Sequence, residues 1–257
     1  VGLQYYGQAE NELTNPYYGD SAGKGQIVKT QVNYLNFTAN QILSWTQSFG
    51  RNNFEAFVAH ESTNSTTNVS YGAKSKMVRP DNTEWSNAVI MDYMESYTYG
   101  YAIESYFGQL RYDWDNKYFI HGTLRADGSS RFAKGHKWGT FGSIGTAWAI
   151  TNEEFMKDIT WLDMLKLKGS YGKVGNDDIG GQRRWVYEST IVGTGDQGWW
   201  FGQSGNQGGA GIRVGEIENL YASWEEATKL NLGVEFSLFN KVKVQADYFR
   251  EERQGIF

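Results

Sequence analysis

Cysteine is missing altogether, which excludes a disulfide framework and thiolate metal sites while fitting many compartments. Proline occurs twice; because proline removes a ladder donor, its scarcity suits a chain of long strands. No apolar run approaches the roughly 18 residues of a membrane-crossing helix, and the mean hydropathy is −0.58. Such a value does not exclude a membrane, since a barrel strand needs only alternate residues to be apolar. A basic block is also lacking and the formal charge is −5, so nothing attracts a phosphate backbone and nucleic acid is excluded as a partner. Nor does the chain open on a signal peptide. An exported protein should have one, so the expectation is that it was removed or that the sequence is an internal piece.

What is abundant is glycine and aromatic side chains: 31 Gly, 10 Trp, 17 Tyr and 14 Phe in 257 residues. That mixture suits many strands joined by turns, and the length allows one large all-β domain. The run from Lys117 to Ile150 sets the pattern. Tyr118, Ile120, Leu124 and Ala126 alternate with His121, Thr123, Arg125 and Asp127, a period of two with one apolar and one polar face. At about eleven residues it has the length of a tilted bilayer-crossing strand. Similar runs occupy 26–36, 41–49, 53–61, 102–114, 137–150, 163–173, 226–237 and 241–251, about nine strands in all. Residues 1–25 read as loop. Tight turns are expected at 49–53, at Asp115 and Asn116, and at Phe239 and Asn240, and long loops at 62–101 and 174–225. Segment 151–162 reads as one helical turn capped by Thr151 or Asn152.

Short turns at one end and long loops at the other are how outer-membrane barrels are built. The expected fold is all-β, an antiparallel transmembrane β-barrel segment with its short turns periplasmic and its long loops extracellular. On the apolar faces Trp45, Phe54, Trp114, Tyr118 and Trp148 lie near the short-turn ends, and Tyr106, Trp138, Tyr171 and Tyr248 near the long-loop ends. These form two aromatic belts. Trp138 to Trp148 would span roughly 23 Å of membrane normal, near the ~25 Å apolar band of such barrels. The opposite faces carry Arg111, Asp113, His121, Arg125, Asp127, Lys166, Lys168, Lys229, Glu235, Lys243 and Asp247. A Lys or Arg turned to lipid at mid-depth costs about 2–4 kcal/mol, so these residues are expected to face a watery or plugged lumen. The rival reading is a soluble β-sandwich or lectin-like carbohydrate-binding protein, whose strands also alternate; it predicts two sheet faces that both bury side chains.

Several ordered motifs carry a resemblance: 105–112 (SYFGQLRY), 125–132 (RADGSSRF), 137–141 (KWGTF), 147–150 (AWAI), 161–168 (WLDMLKLK), 170–176 (SYGKVGN), 224–236 (WEEATKLNLGVEF) and 244–248 (VQADY). Together they resemble the C-terminal half of the SusC/RagA-type TonB-dependent transporters of Bacteroidetes, well over 100–257 and loosely before. The resemblance implies part of a 22-stranded barrel in the outer membrane, filled by a plug domain that is not seen in this sequence. It also implies lipid and LPS around the wall, a SusD-like surface lipoprotein as partner, and TonB–ExbB–ExbD acting through the plug. Import of a glycan or a peptide is the expected function, without enzymatic activity.

No catalytic constellation stands out. His60, His121 and His136 lie on different segments without ligand spacing, so no metal site is expected. The run from Asp127 to Ser130 reads as turn chemistry, with Asp127 capping and Gly128 at positive φ. Asn176, Asp177 and Asp178 could offer ligands to Ca²⁺, but two adjacent carboxylates do not make a ligand loop; no cofactor is expected. In the second long loop Trp199, Trp200 and Phe201 sit among Gly, Gln and Asn. Exposed aromatics beside amides hold sugar rings or peptide side chains, and equally anchor a loop onto a rim or a partner.

Overall fold

A chain rich in aromatic residues, with few prolines, satisfies its backbone most readily in antiparallel ladders. The structure, a computed structural model, describes residues 1–15, 17, 25–178, 185–193 and 212–255. The strands are β1 (Gly2–Thr14), β2 (Gln26–Phe49), β3 (Asn52–Met77), β4 (Ala88–Trp114), β5 (Tyr118–Ser129), β6 (Trp138–Ala149), β7 (Leu162–Asn176), β8 (Ile191–Gly193), β9 (Ile212–Val214), β10 (Glu225–Leu238) and β11 (Val242–Gln254). Among the described residues nine of them form one antiparallel sheet in the order β1-β2-β3-β4-β5-β6-β7-β10-β11, and β8 pairs only with β9. The sheet is an unclosed meander with β1 and β11 at its edges. Two compact units share it, Val1–Asn40 with Glu61–Ile103, and Gln41–His60 with Glu104–Phe257. No helix among the described residues is long and apolar enough to cross a membrane.

About nine strands were expected, and among the described residues eleven are present, nine of them in the large sheet, but those nine are not the expected nine. Residues 1–25, expected as loop, contain β1, which pairs with β2 over thirteen positions from Gly2↔Thr38 to Thr14↔Gln26. Runs 26–36 and 41–49 are one strand of 24 residues. The expected loop 62–101 is mostly strand, because β3 continues to Met77 and β4 begins at Ala88. Nearly every residue of β1 is exposed, so neither face imposes an apolar period. In β3 the tract 62–70 does bury one face, but with Ser65, Thr67 and Val69, so it pairs as a strand without an apolar alternation. In 174–225, β7 runs on to Asn176 and β10 starts at Glu225, with β8 and β9 as a separate ladder between them.

The tight turns match the expectation. Asp115 and Asn116 have φ of 57° and 55°, Phe239 and Asn240 both 53°, and Gly50 61°. Lys117 N–H donates to the Trp114 carbonyl at 2.9 Å, and Lys241 N–H to the Leu238 carbonyl at 3.0 Å. Asp and Asn tolerate the left-handed region better than other residues with a Cβ. Segment 151–162 differs from its expectation: it holds two 3₁₀ turns, Ile150–Asn152 and Glu154–Met156, and neither Thr151 nor Asn152 caps them. Instead Thr151 Oγ1 accepts from Leu165 N–H at 3.3 Å, and Asn152 Nδ2 donates to the Asn116 carbonyl at 2.6 Å. Both side chains brace the neighbouring turn and strand.

The expected turn at Asp127 and Gly128 is also corrected. Strand β5 runs through to Ser129, and the glycine with positive φ is Gly135, at 97°. Asp127, 5% exposed, accepts from Arg125 Nε at 2.7 Å rather than capping a turn. Gly128 is needed for space, since a Cβ there would stand 2.9 Å from the Trp138 indole of the opposing strand.

One polar clasp holds the short-turn end. Lys117 Nζ lies 3.1 Å from Glu153 and 3.8 Å from Asp115, with Lys117 and Glu153 largely buried. Trp148 Nε1 donates to Glu153 at 3.2 Å. Hydrogen bonds from the Tyr118 hydroxyl, and then from Lys117 and Trp148, hold the Glu153 carboxyl below its ordinary value of 4.5. The clasp ties segment 151–162 to the turn between β4 and β5.

Two outcomes are expected in the full-length protein. Asn116→Val places a β-branched residue at φ 55° and should lower stability by about 1–2 kcal/mol, with Asn116→Gly close to neutral; the thermal midpoint of the folded, SDS-resistant form measures both. Because the folded-state pKa of Glu153 is depressed, its contribution is complete above the unfolded value and lost as pH falls through the folded one. Glu153→Gln should therefore lower the midpoint at pH 7, and that difference from wild type should shrink as pH falls below 4.5.

Candidate functional site

The register of β5 to β11 sorts side chains onto two faces. Along one face the rows read Phe119, Ala147, Lys168, Gly233, Asp247; then His121, Gly145, Ser170, Asn231, Phe249; then Thr123, Ser143, Gly172, Lys229, Glu251. Along the other they read Tyr118, Trp148, Leu167, Val234, Ala246; then Ile120, Thr146, Gly169, Leu232, Tyr248; then Gly122, Ile144, Tyr171, Leu230, Arg250.

The second face is apolar and uncovered. Ile120, Leu124, Leu232 and Val244 are all exposed, whereas a soluble sheet of this width would bury such a face. Aromatic rings gather at both of its ends. Trp114, Tyr118 and Trp148 stand side by side on successive strands, with centroids 5.7 and 6.0 Å apart, and Trp45 lies 6.4 Å from Phe54. At the other end Tyr106 stacks on Trp138 at 6.0 Å, and Tyr171 and Tyr248 are exposed. Charge begins immediately past them. Arg250 follows Tyr248 on that face, and the next row pairs Lys173 with Thr228 and Glu252.

The first face holds every charged residue anticipated from the sequence, and all of them except Glu235 and Lys243 line two adjoining hollows. The larger, of about 930 Å³, is lined by Arg111, Asp113, His121, Lys166, Lys168 and Asp247 among others. The smaller, of about 400 Å³, takes in His121, Arg125, Asp127 and Lys229. Most of these charges are paired within the wall. Lys168 Nζ sits 2.7 Å from Glu235 and 3.1 Å from Asp247, Lys229 is 3.2 Å from Glu251, and Arg111 is 2.9 Å from Glu55. Arg125 joins Asp127, donates to Ser105 Oγ at 3.0 Å, and lies 4.8 Å over the Phe107 ring. Asp113 accepts from Asn53 at 3.0 Å, Lys166 lies 5.4 Å over Phe119, and Lys243 stands exposed opposite Ser237. His121 lies flat across Gly145, where a Cβ would overlap its imidazole.

The sequence reading missed several residues of this wall: Glu55 and Glu251 as ion-pair partners, Ser170 and Asn231 as neutral lining, and Phe119 and Phe249 as rings on the polar face. The two carboxylates shared the parity of their strands and could have been found; the two rings broke it. Trp199, Trp200 and Phe201 lie outside the described residues. The Ca²⁺ candidates are engaged otherwise. Asp177 accepts from Ser129 Oγ at 2.6 Å, its carbonyl accepts from Arg131 at 3.0 Å, and Asp178 pairs with Arg131 at 3.0 Å. Among the described residues no three His, Asp or Glu side chains converge as a metal site.

Comparison with known proteins agrees with this geometry. Residues 1–257 match the family described as TonB dependent receptor-like, beta-barrel. TonB-dependent receptor SusC of Bacteroides thetaiotaomicron is 31% identical over 181 residues, covering 70% of this chain. TonB-dependent receptor P39 of Formosa agariphila is 34% identical over 141 residues, covering 55% of it. The chain spans 18% and 12% of the length of these two relatives. In fold it follows the solved RagAB peptide transporter, with a TM-score of 0.81 at 21% identity over 98% of this chain and 28% of that one. An open antiparallel sheet with an exposed apolar face, matched from end to end by this family, makes the chain a member of the TonB dependent receptor-like β-barrels, a family of the Gram-negative outer membrane.

Proposed function

We propose that this chain forms part of the wall of a Bacteroidetes-type outer-membrane importer that takes up a glycan or a peptide. The observation that carries the reading is the division of labour between the two sheet faces. The apolar face has aromatic rows at both ends, and its charges begin at the outer one, where Arg250 shares the row of Tyr171, the profile of a surface matched to hydrocarbon and its interfaces with lipid and LPS. The other face is charged but internally neutralised. Lys168 shared between Glu235 and Asp247 leaves a wall that neither attracts nor repels strongly, over which a plug can seat or a ligand can pass. A soluble β-sandwich or lectin would need a second layer over the apolar face, and the structure and relatives give that alternative no support.

The partners follow from the relatives. The SusC relative and the RagAB likeness support a SusD-like surface lipoprotein on the outer side and TonB–ExbB–ExbD acting through a plug domain. The name of the RagAB transporter supports a peptide as one candidate cargo. In this reading the short turns at Gly50, 115–117 and 239–241 face the periplasm. Strands β2, β3 and β4, of 24, 26 and 27 residues, are more than twice the ~9–11 residues that cross a bilayer, so they continue beyond it.

Three outcomes test this. The full-length protein should be recovered from the outer membrane only with detergent; recovery in the aqueous fraction without it overturns the reading. Leu232→Arg, on the apolar face, should cost about 2–4 kcal/mol and sharply reduce assembled protein, while Asn231→Arg on the opposite face is tolerated; equal effects would contradict the assigned faces. A strain lacking the gene should lose growth on a glycan or a peptide supplied as sole source, and unchanged growth on both classes would remove the import function.

A further inference from the structure

We propose that the short-turn end of the unit formed by Gln41–His60 and Glu104–Phe257 is a seat for phospholipid headgroups. Phe155, Trp161 and Phe239 enter the bilayer surface there, and the charges between them engage the phosphate and the ammonium of a zwitterionic lipid. This seat rests on the membrane-wall reading and deepens it, since it carries lipid contact past the apolar face onto the connections between strands.

Rings stand out on those connections. Phe49 precedes Gly50, Phe155 lies in the 3₁₀ turn Glu154–Met156, Trp161 precedes β7, and Phe239 occupies the left-handed position between β10 and β11. Phe155 is 67% exposed, Phe239 63% and Trp161 50%. Phe239 N–H donates to the Trp161 carbonyl at 3.0 Å, so these two residues share one corner. Turns need only small or polar residues; large rings gathered on them and left uncovered mark a surface that meets an apolar medium.

The clasp at Glu153 decides which side of the wall these rings serve. Glu153 is held by Lys117 at 3.1 Å, by Trp148 Nε1 at 3.2 Å and by the Tyr118 hydroxyl. Trp148 and Tyr118 belong to the aromatic row that ends the apolar face, and Lys117 Nζ lies 5.8 Å from the centroid of Trp114 in the same row. These bonds draw segment 150–156 to the lipid side rather than towards the hollows, with Phe155 two residues past the anchored carboxylate. Phe49 approaches the row from another strand, its ring 6.4 Å from Phe54. The exposed rings are therefore continuous with the face matched to hydrocarbon.

The charges among the rings select the headgroup. Arg51 lies 3.6 Å from Asp115 and Lys157 pairs with Glu154, while exposed Lys241 and Asp158 have no ion-pair partner among the described residues. Asp163 is occupied by Asn240 N–H at 2.6 Å. A purely basic rim would select anionic lipid. A rim of cations and carboxylates together suits a headgroup that carries both signs, with lysine and arginine stems lying along the acyl surface and their charges reaching the phosphates.

Two measurements on the full-length protein test this. Nitroxides are placed one at a time, in a cysteine-free background, at Phe155→Cys, Phe239→Cys, Leu232→Cys and Ile217→Cys, and their accessibility to oxygen and to a water-soluble nickel chelate is read in vesicles of phosphatidylethanolamine and phosphatidylcholine. Leu232 should favour oxygen and Ile217, 81% exposed at the long-loop end, the chelate; Phe155 and Phe239 should side with Leu232. If they match Ile217 while Leu232 lies in lipid, the seat is overturned and the membrane reading stands. If Leu232 itself matches Ile217, the membrane reading falls. In native mass spectrometry, phosphatidylethanolamine should be retained in preference to phosphatidylglycerol, and Arg51→Gln combined with Lys241→Gln should lower its retention by about threefold, with SDS-resistant mobility confirming that the variant is folded. Unchanged retention, or a preference for phosphatidylglycerol, overturns the headgroup assignment.

Discussion

The structure depends on one constraint: each long strand must satisfy its backbone in ladders with its neighbours, because among the described residues no second layer is packed on either face of the sheet. Backbone polar groups left unpaired in hydrocarbon cost several kcal/mol each, and only closed ladders avoid that cost. Strand length, continuous pairing and the placement of turns follow from it. The side chains then need only suit the medium on their own side, which is why leucines and valines are exposed on one face and ion pairs line the other.

The same freedom explains the sorting of charge. The wall residues do not protrude into open space. His121 lies across Gly145, Lys168 is drawn down between Glu235 and Asp247, and Arg125 lies over Phe107. Small residues opposite large ones, and carboxylates beside Arg111, Arg125, Lys168 and Lys229, produce a flush, nearly neutral surface. At the short-turn end, the clasp of Lys117, Glu153 and Trp148 performs a different task, fixing an irregular segment that has no ladder of its own. A buried pair of this kind specifies geometry more surely than it adds stability.

Much of this was legible in the residues. The alternation from Tyr118 to Asp127 gave the two faces, and the Asp115–Asn116 and Phe239–Asn240 pairs gave the turns, because each is a local property of the backbone. The missed strand β1 and the extension of β4 have the opposite cause: where both faces of a strand meet solvent, composition carries no period to read. In β3 one face past residue 61 is buried, but it is built of Ser65, Thr67 and Val69, so the alternation is not one of hydropathy. The Asp127–Gly128 turn failed for a third reason. Aspartate and glycine are turn residues in general, but here Arg125 claims the carboxylate and Trp138 needs the space above the glycine.

By itself, the sequence determined the class of structure and its amphipathic logic, since strand period, turn chemistry and aromatic spacing are set by neighbours along the chain. Only the tertiary structure decided which residues meet. Pairing of Lys168 with Asp247, nearly eighty positions apart, and of Arg51 with Asp115 depends on strand register. Register is fixed by the summed ladders and turns of the whole sheet, and no single stretch of the chain contains it.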